Sequence, residues 1–265
     1  MNYSGNLLKM RTELHDEVHY HLALSGQEIH MNDLIGKEVT IKYQNIINCI
    51  KCGRQTKKSF AQGYCYPCFI TAPETEECVL RPELCRAHEG IARDMIFAEE
   101  HCLIDHFVYL ALSSGVKVGV TRNHQVPHRW IDQGAWKAIK LAVTPNRYIA
   151  GIMEVGLKQY FTDKTNWRHM LTNKLATEMD LVKQKDRAIE LLHPDLRVYA
   201  IDDDTVTEIK YPVIHYPEKV KSINLDTTSF INDTLTGIKG QYLIFDSGTV
   251  LNIRKHNGYL VELSF

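Results

Sequence analysis

Two Cys-x2-Cys pairs constrain this chain more than any other feature. The block from Cys49 to Cys68 reads CIKCGRQTKKSFAQGYCYPC, with twelve residues between Cys52 and Cys65. Each Cys-x2-Cys turn puts two thiolates on one side of a tight loop. Two such turns close a tetrahedron around Zn2+, and four thiolates leave no position open for water. Gly53 directly follows the first pair, where the backbone favours a residue without Cβ strain. Cys49, Cys52, Cys65 and Cys68 are therefore expected to hold a structural zinc. A redox pair explains one turn but not the second; unligated buried cysteines are the remaining alternative.

The chain has seven cysteines, an odd number. In a reducing compartment this pattern favours metal over disulfides. Cys78, Cys85 and His88 form a second group of soft donors within CVLRPELCRAH. A second zinc there needs a fourth ligand from His101, Cys102 or His106. The simpler reading is buried free cysteines with His88 at a cap or on the surface.

Total charge says little about partners, because the formal net charge is only -1. Its distribution says more. From His106 to Lys174 there are ten Lys and Arg against three acids, whereas Leu175 to Lys210 has nine acids and five bases. A local basic region draws phosphate even when the whole chain is neutral; ordinary surface variation is the plainer alternative. The loop between the cysteine pairs, Arg54 to Tyr64, is also basic and bracketed by aromatics, a composition suited to gripping a phosphate backbone and stacking a base. A solvated loop is the other reading.

Length and composition, 265 residues with 44% hydrophobic and 24% charged, allow one large or two smaller folded domains. No apolar run reaches the roughly 18 residues of a membrane span. The opening MNYSGNLLKMRTELHDE has no apolar targeting core. A cytoplasmic protein without membrane contact is expected.

Along the chain, Val18–Leu22 and Val39–Tyr43 read as strands. Arg93 to Cys102 suits a short helix. Phe107–Leu112 and Val116–Thr121, joined by Ser113-Ser114-Gly115, read as a hairpin. Tyr148–Val155 is apolar, with Gly151 leaving helix and strand both open. Leu171, Leu175, Met179 and Val182 fall at helical spacing and predict one helix from Arg168 to Leu192, stopped by Pro194. Strands are expected at Leu196–Ile201, Val206–Ile209, Leu235–Phe245, Val250–Arg254 and Tyr259–Leu263. Asn257-Gly258 is the strongest hairpin signal among their connections. The N- and C-terminal strands are expected to pair into one β unit.

The central stretch resembles the GIY-YIG nuclease module. Val108-Tyr109-Leu110 matches that family's first strand and Lys117-Val118-Gly119 its second, with Lys117 where the family has its second tyrosine. Arg129 follows ten residues after Gly119, Glu154 matches the metal-binding acid, and Asn166 lies twelve residues beyond it. More broadly, the strings CGRQTKKSFAQGYCYPCF, PELCRAH, KVGVTR, PHRWIDQGA and DKTNWR resemble the family called domain of unknown function 2797, over nearly the whole chain. Together these imply an α+β chain: a zinc ribbon and a GIY-YIG-like α/β module, flanked by N- and C-terminal antiparallel strands. The expected segments are 1–48 (N-terminal strands), 49–90 (cysteine region), 91–193 (α/β module) and 194–265 (C-terminal β unit).

The nuclease likeness implies a metal-dependent phosphodiesterase acting on DNA or RNA. Glu154 would hold Mg2+ or Mn2+, which stabilises charge on the scissile phosphate. Arg129 offers that phosphate a planar fork of donors. Tyr109 would orient or deprotonate the attacking water. Lys117 would donate to phosphate, and Asn166 would order the site. Each has a plainer reading: a core tyrosine, a solvent-facing Glu154, a structural Arg129 beside Trp130, and an Asx turn or helix cap at Asp163–Asn166. Two other function classes fit the same residues: a zinc protein that binds nucleic acid without cleaving it, and a protein-interaction scaffold. No glycine-rich phosphate loop or dinucleotide fingerprint is present.

Overall fold

The computed structural model describes residues 1–24, 26–161 and 166–265. The chain is α+β, with three sheets among the described residues, and divides into two compact units.

The first unit comprises Met1–Ile70, Leu171–Asn173 and Lys210–Phe265. Its main sheet runs in the spatial order Asn2–Asn6, Tyr259–Ser264, Glu38–Asn48, Phe230–Lys239, Tyr242–Phe245, Thr249–Asn252 and Lys221–Ser222. The chain ends therefore pair, with Asn2 opposite Ser264. In Glu38–Asn48, Val39, Ile41 and Tyr43 are buried in alternation, the period-two pattern of a strand with one face on a core. A smaller sheet of Arg11–Leu14, Val18–Leu24 and Gln27–His30 belongs to the same unit.

Asn257-Gly258 closes no hairpin with the strand before it. Tyr259–Ser264 pairs with Glu38–Asn48 and Asn2–Asn6 instead. Gly258 has φ +85°, and a Cβ there would stand 2.2 Å from the Asn48 carbonyl oxygen. Close approach of a neighbouring strand, as well as backbone handedness, requires this glycine.

Lys239 ends its strand fully buried, with Nζ over the rings of Tyr211 and Tyr216 and 3.3 Å from Asn173 Oδ1. Burial pulls its pKa down from 10.5 to about 8. A lysine depressed in the fold is penalised while charged. Its contribution is therefore most favourable above the unfolded value of 10.5 and worsens as pH falls through about 8. We expect the difference in urea midpoint between Lys239→Met and the parent chain to change across that interval. A constant difference would contradict the assignment.

The second unit comprises Thr71–Met170 and Lys174–Ile209. Its sheet runs in the order Thr207–Glu208, Lys137–Thr144, His106–Leu112 and Val116–Arg122. The last two strands are the expected hairpin, with Tyr109 opposite Gly119. Val108, Leu110 and Leu112 pack with Val116, Val118, Ile139 and Leu141 beneath Ala150, Met153 and Leu157 of the helix Arg147–Lys158. That helix resolves the ambiguity over Tyr148–Val155. Asn146 starts it, its Oδ1 accepting from the Ile149 amide at 3.0 Å.

In the first unit the expected strand Leu235–Phe245 is two strands, Phe230–Lys239 and Tyr242–Phe245, and two further elements differ from expectation. The single helix Arg168 to Leu192 is two helices, Trp167–Leu171 and Leu181–Leu191. Asn173 takes a left-handed φ of 54°, which no continuous helix tolerates. Asp180 then caps a new start, accepting from the Val182 and Lys183 amides. Met179, central to the apparent period, is 43% exposed, so its spacing marks no buried face. The expected strand Leu196–Ile201 is largely a 3-10 turn, Pro194–Tyr199. Arg197 ties that turn to the preceding helix through the carbonyls of Glu190 and Leu192. Of the expected Asx turn, Asp163, Lys164 and Thr165 lie outside the described residues.

Candidate functional site

Tyr109 stands on the central strand His106–Leu112 and is fully buried. Its ring lies across Gly119 of the next strand, where a Cβ would come within 2.6 Å of the Tyr109 oxygen. The glycine is thus the space the tyrosine occupies. Trp130 meets the ring edge-on at 5.9 Å. The hydroxyl donates to Gln133 Oε1 at 3.2 Å and receives a hydrogen bond from Arg129. Burial drives its pKa up, Arg129 opposes that, and the charge of Glu154 adds to it.

Glu154 sits on the helix Arg147–Lys158, its side chain only 12% exposed. Burial pushes its pKa up, against Lys158, Lys117 and Arg129, which hold it down. Lys158 Nζ is 3.5 Å from its Oε2, one helical turn on. Arg129 and Glu154 thus bear on Tyr109, and Lys117 and Arg129 bear on Glu154. Asn166 is engaged at the helix that follows it. Its Oδ1 accepts from the amides of Arg168 and His169, and its own amide donates to Ser114 Oγ. It caps the helix Trp167–Leu171. Lys158 was legible as the residue four after Glu154. Gln133, which reaches Tyr109 from outside the strand, left no sequence signal.

Gly151 sets how closely the Glu154 helix approaches the segment beneath it. A Cβ there would meet the Glu83 nitrogen at 2.2 Å and the Pro82 carbonyl carbon at 2.4 Å. Backbone atoms cannot swing aside as a side-chain tip can. Gly151→Ala is expected to destabilise by about 1–3 kcal/mol, the cost of overpacking. The reading is a lower urea midpoint with an unchanged slope. An unchanged midpoint would mean that the helix is not held at this distance.

The cysteines form two groups that could hold zinc. Cys49, Cys52, Cys65 and Cys68 have sulfurs all within 4.8 Å of one another. Cys52 and Cys65 sulfurs are 3.8 Å apart, matching the roughly 3.8 Å edge of a tetrahedron with 2.3 Å bonds. The strand Glu38–Asn48 feeds directly into Cys49, and Gln55–Thr56 pairs back on Ile47 and Asn48. The first turn closes through the Gly53 amide on the Cys49 carbonyl at 2.8 Å, with Gly53 at φ +71°. Burial raises the Cys49 thiol, but amides of Cys65, Cys52 and Lys51 outweigh it and hold it to about 6. In the intervening loop Arg54, Lys57 and Lys58 are exposed, while Phe60 packs on Tyr66 and Phe69.

The second group is Cys78, Cys85 and Cys102, also within 4.8 Å. His88, expected beside Cys85, is not in it. Its ring stacks on Tyr148 at 4.4 Å, and its Nε2 is 3.8 Å from Glu89. Spacing alone favoured His88, three residues from Cys85. Folding instead brings in Cys102, seventeen residues away.

No helix among the described residues is long and apolar enough to cross a membrane. No curated protein and no solved structure matches the chain. A family model described as "Protein of unknown function (DUF2797)" matches residues 36–261, and the chain belongs to that family.

Proposed function

We propose that this protein processes nucleic acid as a metal-dependent phosphodiesterase, with its site at Glu154, Arg129 and Lys117. Glu154 would hold Mg2+ or Mn2+, which would supply positive charge to stabilise a phosphate undergoing cleavage. Arg129 and Lys117 receive the phosphate charge. Tyr109 acts through Arg129, fixing its guanidinium, since the buried hydroxyl is satisfied within the protein. Asn166 serves by capping the following helix. The observation that carries this reading is one mostly buried carboxylate in the joint field of Lys158, Lys117 and Arg129. Catalytic groups are commonly found in such perturbed settings. The resemblance of the Val108–Leu110 and Lys117–Gly119 sequence to the GIY-YIG hairpin supports it too.

In this reading the four-cysteine group is a zinc ribbon, structural because all four positions are thiolates. Its exposed Arg54, Lys57 and Lys58 suit phosphate contacts of the ribbon's own. A second reading, nucleic-acid binding without cleavage, is favoured by the Glu154–Lys158 contact, which occupies the carboxylate that a metal needs. Labelled single-stranded, duplex and branched DNA and RNA, incubated with magnesium, manganese or chelator, separate the two. Product only with the metal supports the enzyme, and retardation without product supports the binding protein.

A further inference from the structure

Cys78, Cys85 and Cys102 are 6%, 2% and 4% exposed, and none is in a disulfide. They come from three places: the 3-10 turn Glu77–Val79, the residue after the turn Pro82–Leu84, and the cap of the helix Met95–His101. Packing alone gives no reason for three sulfurs to meet within 4.8 Å. A disulfide would use two and strand the third. Iron–sulfur clusters spread their thiolates over separate irons. This spacing instead suits a single ion with bonds of about 2.3 Å.

Two independent features surround the trio. Arg147 donates to the Cys78 carbonyl at 3.3 Å and the His101 carbonyl at 3.4 Å, and its guanidinium also hydrogen-bonds Cys102. Zinc with three thiolates carries one net negative charge, which this guanidinium balances within a buried site. His106 is 1% exposed, and its Nδ1 lies 2.7 Å from the Ile104 carbonyl. That contact assigns the proton to Nδ1 and leaves Nε2 a bare acceptor. Nε2 is buried without a hydrogen-bond partner among the described residues. Such an arrangement is the usual presentation of a metal-binding imidazole, whereas an unpaired buried nitrogen is otherwise costly.

We propose that Cys78, Cys85 and Cys102 bind a second zinc ion through three thiolates, with Arg147 as its charge partner. The fourth position takes a nitrogen or oxygen donor; His106 is not within 4.8 Å of all three sulfurs, so a turn of its side chain, or a water, completes the site. The ion is structural. It staples the segment containing Pro82 and Glu83, the surface on which Gly151 seats the Glu154 helix. This inference is independent of whether the chain cleaves nucleic acid.

The test is zinc per chain, measured by elemental mass spectrometry on full-length protein purified without chelator. Two zinc ions are expected in the parent chain and one each in Cys52→Ser and Cys102→Ser. X-ray absorption on Cys52→Ser should read three sulfurs and one lighter donor. Hydrogen exchange across residues 147–158 should quicken in Cys102→Ser and not in Cys52→Ser. If Cys102→Ser does not fold, the parent chain decides alone. Two zincs averaging three to four sulfurs uphold the site. One zinc with four sulfurs, or a Cys–Cys bond within the trio by peptide mass mapping, overturns it.

Discussion

Cys52→Ser is expected to release the zinc of the first group and unfold the segment from Cys49 to Cys68. Little else holds that segment. The helix Tyr66–Thr71 buries no residue fully, and the Gln55–Thr56 strand is only two residues long. Ile50 is 38% exposed, and Tyr66 is 55% exposed. A segment with so small an apolar core cannot offset its chain entropy, so metal binding supplies the folding free energy, on the order of 10 kcal/mol for structural zinc. The main sheet, whose strands Glu38–Asn48 and Tyr259–Ser264 pair independently of the cysteines, should survive. Far-ultraviolet dichroism should therefore change little, while proteolysis concentrates between residues 49 and 68. Unchanged metal content in the variant would refute a four-thiolate site.

The second large effect is on chemistry. Glu154→Gln keeps the shape of the side chain but removes the charge that a divalent ion needs, so cleavage should fall by the several orders of magnitude that loss of a metal ligand implies. The pH dependence follows from the same carboxylate. Burial raises its pKa above 4.5, with Lys158, Lys117 and Arg129 restraining the shift. Metal-dependent cleavage should thus rise with pH along a limb displaced upward from an ordinary glutamate. For stability the sign is opposite. A carboxyl raised in the fold stabilises below its unfolded pKa, and that contribution is lost as pH rises through the folded value. Glu154→Gln should flatten this loss, seen in urea midpoints across the acid range. Wild-type cleavage in the variant would remove Glu154 from the mechanism.

Much of this architecture was readable where local chemistry decides. Cysteine spacing marked the first cysteine group, whose four sulfurs converge, and Ser113-Ser114-Gly115 marked the hairpin carrying Tyr109. It failed where long-range pairing decides. The strand Lys137–Thr144 went unread because it is buried on both faces, so no clean alternation shows, and a register shift near Val108 and Tyr109 breaks what pattern remains. Cys102 was one of three candidates for the second cysteine group and only the fold selects it, while Arg147 reaches that group through the fold alone. At Asn257-Gly258 a strong local turn signal served a different need, close approach to Asn48. At the candidate site the sequence pointed to Tyr109 and Glu154, each of which lies in the field of Arg129. It did not show that Tyr109 is sealed from solvent, nor that Lys158 sits on the carboxylate.

The central claim is that Glu154 converts phosphate binding into phosphate cleavage. It is tested most directly by gel shift and product formation measured on the same labelled nucleic acids, for the parent chain and Glu154→Gln, with manganese and with chelator. We predict product only from the parent chain with metal, and retardation nearly equal for both proteins. Equal loss of binding and cleavage in the variant, or product that survives chelation, would contradict it.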